Sequence, residues 1–224
     1  MIVISLGGSL VSREKIDTRY IKEIIEILRE AACNFKLGVV VGGGRTAREY
    51  ISAARNFSNN DYILDKIGIE ATRLNALLLI SALEDIAYPE VPRTVDEAVS
   101  YLKSSRIVIM GGTEPGHTTD AVAALLAERL NAERLIIATN VDGVYDKDPK
   151  RHKDAQKLKR LSFKQLLDII MSIPPEPGVN TVIDHLAALI INRSRIRTIV
   201  INGANTKDLR NAIYGEDVEG SVIE

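Results

Sequence analysis

Three short apolar runs each end directly in glycine: Ile2–Leu6 leads into Gly7-Gly8-Ser9, Leu37–Val41 into Gly42-Gly43-Gly44-Arg45, and Arg106–Met110 into Gly111-Gly112-Thr113. Runs with no polar alternation read as strands covered on both faces, the condition of a parallel sheet. Leu135–Ala138 and Thr198–Ile201 have the same character. Parallel neighbours need long crossovers, and the intervals supply helices. Tyr20, Ile21, Ile24, Ile25, Leu28 and Ala32 recur at helical spacing behind Asp17, which is placed to cap the first turn. Thr94-Val95-Asp96-Glu97 and Ser162-Phe163-Lys164-Gln165 read as capping boxes. Further helical patterns run over 63–87, 120–131, 181–193 and 206–214, the last ending at Gly215. The alternation predicts an α/β fold, a three-layer αβα sandwich around a mainly parallel open sheet.

The chain has 224 residues, 46% of them hydrophobic, enough for a sizeable core. Its 29 basic and 30 acidic residues leave a net charge of -1, so no global field draws it to nucleic acid or to an anionic membrane. No stretch reaches the roughly 18 uninterrupted apolar residues of a spanning helix, and MIVISLGGSL carries no basic leader. A cytoplasmic protein without nucleic-acid or membrane partners is expected. The single Cys33 falls on the apolar side of the first long helix and is expected to be buried. Pro174–Gly178 and the charged run 146–160 read as solvated surface loops. The acids at 142, 146 and 148 lack the glycine and closing glutamate of a calcium loop, so no dedicated metal site is expected.

In an open α/β sheet, ligands sit outside the carboxyl ends of the strands. Glycines there let backbone N–H groups approach anionic oxygens and aim a helix N-terminus at them. Three such turns point to a polyphosphate site. Neither Gly-x-x-x-x-Gly-Lys-Ser/Thr nor a strand-linked Gly-x-Gly-x-x-Gly is present, which removes the P-loop and dinucleotide readings.

GGS at 7–9, VVVGGGRTAR at 39–48, DKIGIEATRLNA at 65–76, MGGTEPGHTTDAVAALLA at 110–127, TNVDGVYDKDP at 139–149 and VIDHLAA at 182–188 together resemble the archaeal uridylate (UMP) kinases of the amino acid kinase superfamily. The resemblance implies the amino acid kinase fold as one domain over 1–224, with an acceptor lobe over about 1–133 and an ATP lobe over 134–224. It also implies phosphoryl transfer from ATP, with Mg²⁺, to UMP in pyrimidine nucleotide biosynthesis, and a homohexamer built from dimers.

Residue roles follow from the same resemblance. Gly8, Gly44, Arg45, Arg48 and Asp184 are expected at the reacting phosphates, with Asp184 organising cations. Gly43, Asp65, Thr113, Glu114, Pro115, Gly116, His117, Thr118 and Thr119 are expected on UMP, Asp65 at the ribose. His117 itself reads as solvated. Gly7, Gly8, Ser9, Gly44, Arg48, Thr139, Asn140, Tyr145 and Asp148 are expected on ATP, Tyr145 offering an adenine face. Arg48 lies one turn into the helix after the glycine triplet, where a planar fork suits phosphate. Asp142-Gly143 by itself is an ordinary hairpin turn.

The acceptor of such a reaction is already an anionic oxygen, so alignment and charge neutralisation replace a general base. One departure bears on that charge. Many superfamily members carry a lysine where this chain has Ser5, and a second lysine found in acetylglutamate kinases is missing around Ala187–Ile191. A charge 4 Å from phosphate is worth roughly 4 kcal/mol at an effective dielectric near 20. Arg45 or Arg48, with Mg²⁺ and the loop N–H groups, is expected to replace it, Lys15 standing farther off. Other kinases of the superfamily, among them isopentenyl phosphate kinase, and a noncatalytic nucleotide sensor are the rival readings. Against isopentenyl phosphate, residues 42–60 contain no His.

Overall fold

The computed structural model describes residues 1–147, 152–173 and 182–224. In chain order the elements are β1 (Ile2–Leu6), α1 (Gly8–Val11), α2 (Thr18–Asn34), β2 (Leu37–Val41), α3 (Gly44–Ala54), α4 (Asp61–Ser81), α5 (Val95–Ser104) and β3 (Ile107–Met110). They continue with α6 (Thr119–Leu130), β4 (Arg134–Thr139), β5 (Arg160–Leu161), α7 (Phe163–Ser172), α8 (His185–Ser194), β6 (Thr198–Asn202), α9 (Thr206–Tyr214) and β7 (Ser221–Ile223). The sheet runs β3-β2-β1-β4-β6-β7-β5, with β1 parallel to both β2 and β4. Only β6 against β7 is antiparallel.

Strand parity sorts the core into two halves, because successive side chains leave a strand on opposite faces. Ile2, Ile4, Leu6, Val39 and Val41 pack with α2, α4 and α9. Val3, Val40, Val108, Leu135 and Ile137 pack with α5, α6, α7 and α8. This is the expected three-layer sandwich. The five anticipated strands are present; β5 and β7, of two and three residues, are too short to show a period.

Several local expectations change. Cys33 is exposed: Leu28, Ala31 and Ala32 take the inward positions of α2, and the helical turn carries residue 33 outward. The long fourth helix starts at Asp61 and stops at Ser81 rather than 87. Only Ser162 forms the full capping box, since Glu97 turns back to the Arg93 N–H instead of that of Thr94. The described residues of the charged run are mostly exposed, as expected, and are tied back to the fold at Lys157. Tyr145 and Lys157 form an antiparallel bridge, and the Lys157 ammonium donates to Asp142 and to the Glu219 carbonyl. Pro174–Gly178 lies outside the described residues.

Ser5 is the one polar side chain of β1, and its hydroxyl donates to Asp120 Oδ1 at 2.6 Å, tying the central strand to the first turn of α6. Burial pushes the Asp120 carboxyl up to about 6, the Ser5 bond holds the rise back, and the nearby Asp184 charge adds to it. An acid raised above its unfolded value of about 3.9 holds its proton more tightly when folded. Its stabilising contribution is therefore full below about pH 4 and lost as pH rises through 6. In metal-free, nucleotide-free buffer, Asp120→Asn is expected to be more stable than the unmodified protein at pH 7.5, by up to about 3 kcal/mol. Urea unfolding across pH 4 to 7.5 checks this, because the gap must shrink toward the acid end.

Candidate active site

The first two glycine loops meet backbone to backbone. A Cβ on Gly8 would lie 2.1 Å from the Gly44 nitrogen, and one on Gly44 would lie 2.2 Å from the Gly8 carbonyl oxygen. Gly44 also has φ +59, a conformation that costs a side chain. Gly42 is equally tight against the Gly8 nitrogen, at 2.6 Å. Only side-chain-free residues let α1 and α3 begin this close together at the rim of adjacent strands β1 and β2.

The third loop is shaped by α4 instead. A Cβ on Gly111 would meet Thr72 Oγ1 at 2.3 Å; that hydroxyl accepts from the Gly112 N–H at 2.7 Å and donates to the Ile69 carbonyl. Three residues on, the Asn75 amide donates to the carbonyls of Gly42 and Gly43 at 2.8 and 3.2 Å. Thr72 and Asn75 are both buried. Neither was singled out from sequence. Two polar residues on the otherwise apolar buried face of α4 were the available signal, because a buried polar group needs a partner.

A cleft of 390 Å³ opens between α3, α4 and the loop before α6. It is lined by Gly43, Ala47, Ile51, Asp65, Thr72, Gly112, Glu114, Gly116, His117, Thr118 and Thr119 among others, which gathers most of the residues expected on UMP. Asp65 Oδ2 accepts from the Gly116 N–H at 2.8 Å, so the acid on α4 also fixes the loop. Thr113 and Pro115 do not line the cleft. His117 is half-buried rather than solvated, and its Nδ1 is buried with no partner among the described residues.

Thr118 serves twice. Its hydroxyl accepts from the Ala121 N–H as the N-cap of α6 and donates to Asp184 Oδ2. Asp184 in turn caps α8 through the Ala187 N–H at 3.0 Å. Asp184 and Asp120 thus bring two carboxyl groups under the glycine rim. Sequence reading took Asp120 only as the residue opening a helix, because nothing along the chain shows that it faces Ser5.

Arg48 is exposed, one turn into α3, forms no ion pair among the described residues and, like Arg45, lines neither this cleft nor the one beside α1. Arg45 differs from expectation: its guanidinium is paired with Glu49 and lines neither this cleft nor the one beside α1. Position explains it, since 45 and 49 are one helical turn apart on the outer side of α3.

Of the residues expected on ATP, Gly7, Gly8 and Ser9 follow β1 and Thr139 and Asn140 stand at the end of β4, while Gly44 and Arg48 belong to α3. Gly7 donates its N–H to the Ala138 carbonyl at 2.8 Å, and Thr139 pairs with Asn202 of β6. Ser9 and Asn140 share a crevice of 370 Å³. The Tyr145 hydroxyl donates to Asp142 at 2.9 Å. Burial works against the Asp142 carboxylate, but the hydrogen bonds from Lys157 and Tyr145 outweigh it and hold its pKa below the ordinary value. Asp148 lies outside the described residues.

The model of the amino acid kinase family matches residues 1–202. The uridylate kinase of Methanococcus aeolicus is 50% identical over 99% of this chain and 98% of its own length, and that of Thermococcus sibiricus 46% identical over 100% and 99%. The crystal structure of uridylate kinase from Archaeoglobus fulgidus superposes with a TM-score of 0.90 at 49% identity, covering 100% of this chain and 99% of that one. The UMP kinase of Bacillus anthracis, at 23% identity and a TM-score of 0.82 over 100% of this chain and 95% of its own, shares the fold. The chain belongs to the amino acid kinase family.

Proposed function

We propose that this chain is an ATP:UMP phosphotransferase, which makes UDP and ADP. The observation that carries the reading is the joining of two sites by one backbone contact: the Asp65- and hydroxyl-lined cleft on one side of Gly8 and Gly44, the Ser9 and Asn140 crevice on the other. Full-length identity near 50% to proteins named uridylate kinase supports the same conclusion. With an acceptor lobe at about 1–133 and an ATP lobe at 134–224, the cleft draws its lining from the first lobe, whereas the crevice takes Ser9, Leu10 and Arg13 from the first and Asn140, Asn202 and Ala204 from the second. An isopentenyl phosphate acceptor is disfavoured by the absence of histidine on α3.

The chemistry asked of the protein is alignment and charge neutralisation. Gly8 and Gly44 bring backbone donors to the transferring group without steric hindrance. Asp65 and the threonines at 118 and 119 position the acceptor nucleoside, and Gly43 lies against its phosphate. Arg48, unpaired on α3, supplies charge from the acceptor side; Arg45, already held by Glu49, is the weaker candidate.

Mg²⁺ fits this site as a cation carried by ATP. No cluster of three His, Cys, Asp or Glu stands among the described residues, and Mg²⁺ commonly takes one or two carboxylates plus phosphate oxygens. Asp184 is the residue that would meet it, and the ion would neutralise charge on the phosphates.

A cytoplasmic location and a homohexamer built from dimers complete the reading. No described helix is long and apolar enough to cross a membrane. An apolar hollow of 440 Å³ between α3 and α4, lined by Tyr50, Ile63, Ile67 and Leu74 among others, supports self-association, and Tyr50 and Leu74 are 64% and 59% exposed. Leu77 and Leu78 are exposed as well.

Two outcomes are expected. A coupled assay of ADP release should respond to UMP far more than to isopentenyl phosphate or acetylglutamate, and Arg48→Met should slow single-turnover transfer by about 10²-fold, the loss typical of one oxyanion donor. An unchanged rate would remove Arg48 from the mechanism. In light scattering after gel filtration, the unmodified chain should elute as a hexamer and Leu74→Glu as a smaller species. A monomeric unmodified chain would end the assembly proposal.

A further inference from the structure

We propose that Arg13 binds the polyphosphate of the donor nucleotide and supplies, on that side, the positive charge that Ser5 cannot. The inference rests on the ATP:UMP reading above and names a residue outside those the family resemblance assigns.

The crevice holding Ser9 and Asn140 lies where the strand order turns back, with β1 beside β4, the place where open α/β sheets take ligands. Its remaining walls are Leu10, Arg13, Asn202 and Ala204. Arg13 is its one charged residue. The side chain is exposed and forms no ion pair among the described residues.

Arg13 is also held in place. Ser12 and Ile16 form an antiparallel bridge that closes a tight turn, and the Asp17 N–H donates to the Val11 carbonyl at 2.9 Å. The base of the turn is clamped to the start of α3: the Arg45 N–H donates to the Ser12 carbonyl at 3.0 Å, and the Ser12 and Thr46 hydroxyls are 3.1 Å apart. Arg13 therefore leaves the turn from a fixed root beside the glycine contact. Its charge also reaches Tyr20. Burial raises the Tyr20 hydroxyl's pKa and Arg13 opposes the rise, while that hydroxyl donates to the Gly203 carbonyl at 2.8 Å next to the crevice wall.

The charge balance singles this residue out. Ser5 is neutral and bonded to Asp120, and Asp184 stands close by, so the centre of the rim is acidic. Arg45 is paired with Glu49 and Arg73 with Glu70. Among the described residues Arg48 and Arg13 remain without such partners, one exposed on α3 and one in the crevice with Ser9 and Asn140. A bound ATP would add several negative charges there, and an arginine fork suits phosphate oxygens.

Arg13→Met keeps the aliphatic stem and removes the charge. We expect the KM for ATP, and the equilibrium affinity for a fluorescent ATP analogue measured without UMP, each to weaken about three- to tenfold. The KM for UMP should stay within about twofold, and Arg13→Lys should recover part of the loss because it restores charge without the fork. Unchanged analogue affinity, or a loss confined to UMP, would overturn the proposal. If the unmodified protein transfers to UMP and Arg13→Met matches it in analogue affinity, this inference alone fails. If the unmodified protein releases no ADP on addition of UMP, yet binds the analogue in an Arg13-dependent way, the UMP reading fails and the nucleotide contact stands.

Discussion

Everything at the rim depends on the contact between the Gly8 and Gly44 backbones. At 2.1 to 2.6 Å, the hypothetical Cβ distances leave no room for a side chain on Gly8, Gly42 or Gly44. The contact fixes how α1 and α3 start, and hence where their N–H groups stand. It also sets the separation of the two ligand clefts. The sheet supplies the frame for it: β1 and β2 are adjacent, parallel and in register along their full length, so their loops emerge side by side.

Hydrogen bonds behind this rim, buried at Thr72 and Asn75 and exposed at Asp65 and Thr118, tie its parts together. Asn75 holds the carbonyls of Gly42 and Gly43, Thr72 holds the N–H of Gly112, Asp65 holds that of Gly116, and Thr118 reaches Asp184. Each bond is modest by itself, about 1 kcal/mol net. Their common effect is positional: α4 carries three of the side chains, so one rigid helix sets the glycine triplet and the acceptor loop together. Asp184, as the cap of α8, links the acceptor loop to the second half of the chain.

Charge is arranged differently from chains that place a lysine on β1. Here a serine fills that position and bonds a half-buried acid, so the centre carries no lysine. Arginine suits a reaction governed by alignment and neutralisation, because a planar, permanently charged fork orients as well as neutralises.

The sequence by itself determined the layers, the five central strands, the glycine turns at their ends and the family. Those follow from local periodicity, from the freedom of glycine and from a motif order that spans nearly the whole chain. Tertiary structure decided the partners. That Ser5 faces Asp120 across 115 positions, that Glu49 takes Arg45 and leaves Arg48 unpaired, and that Thr72 and Asn75 brace two loops are properties of packing. Cys33 shows the same limit on a small scale, since one step around a helix exchanges inside for outside. A side chain's chemistry can be read from the letter, but its role depends on which neighbour the fold brings within about 3 Å.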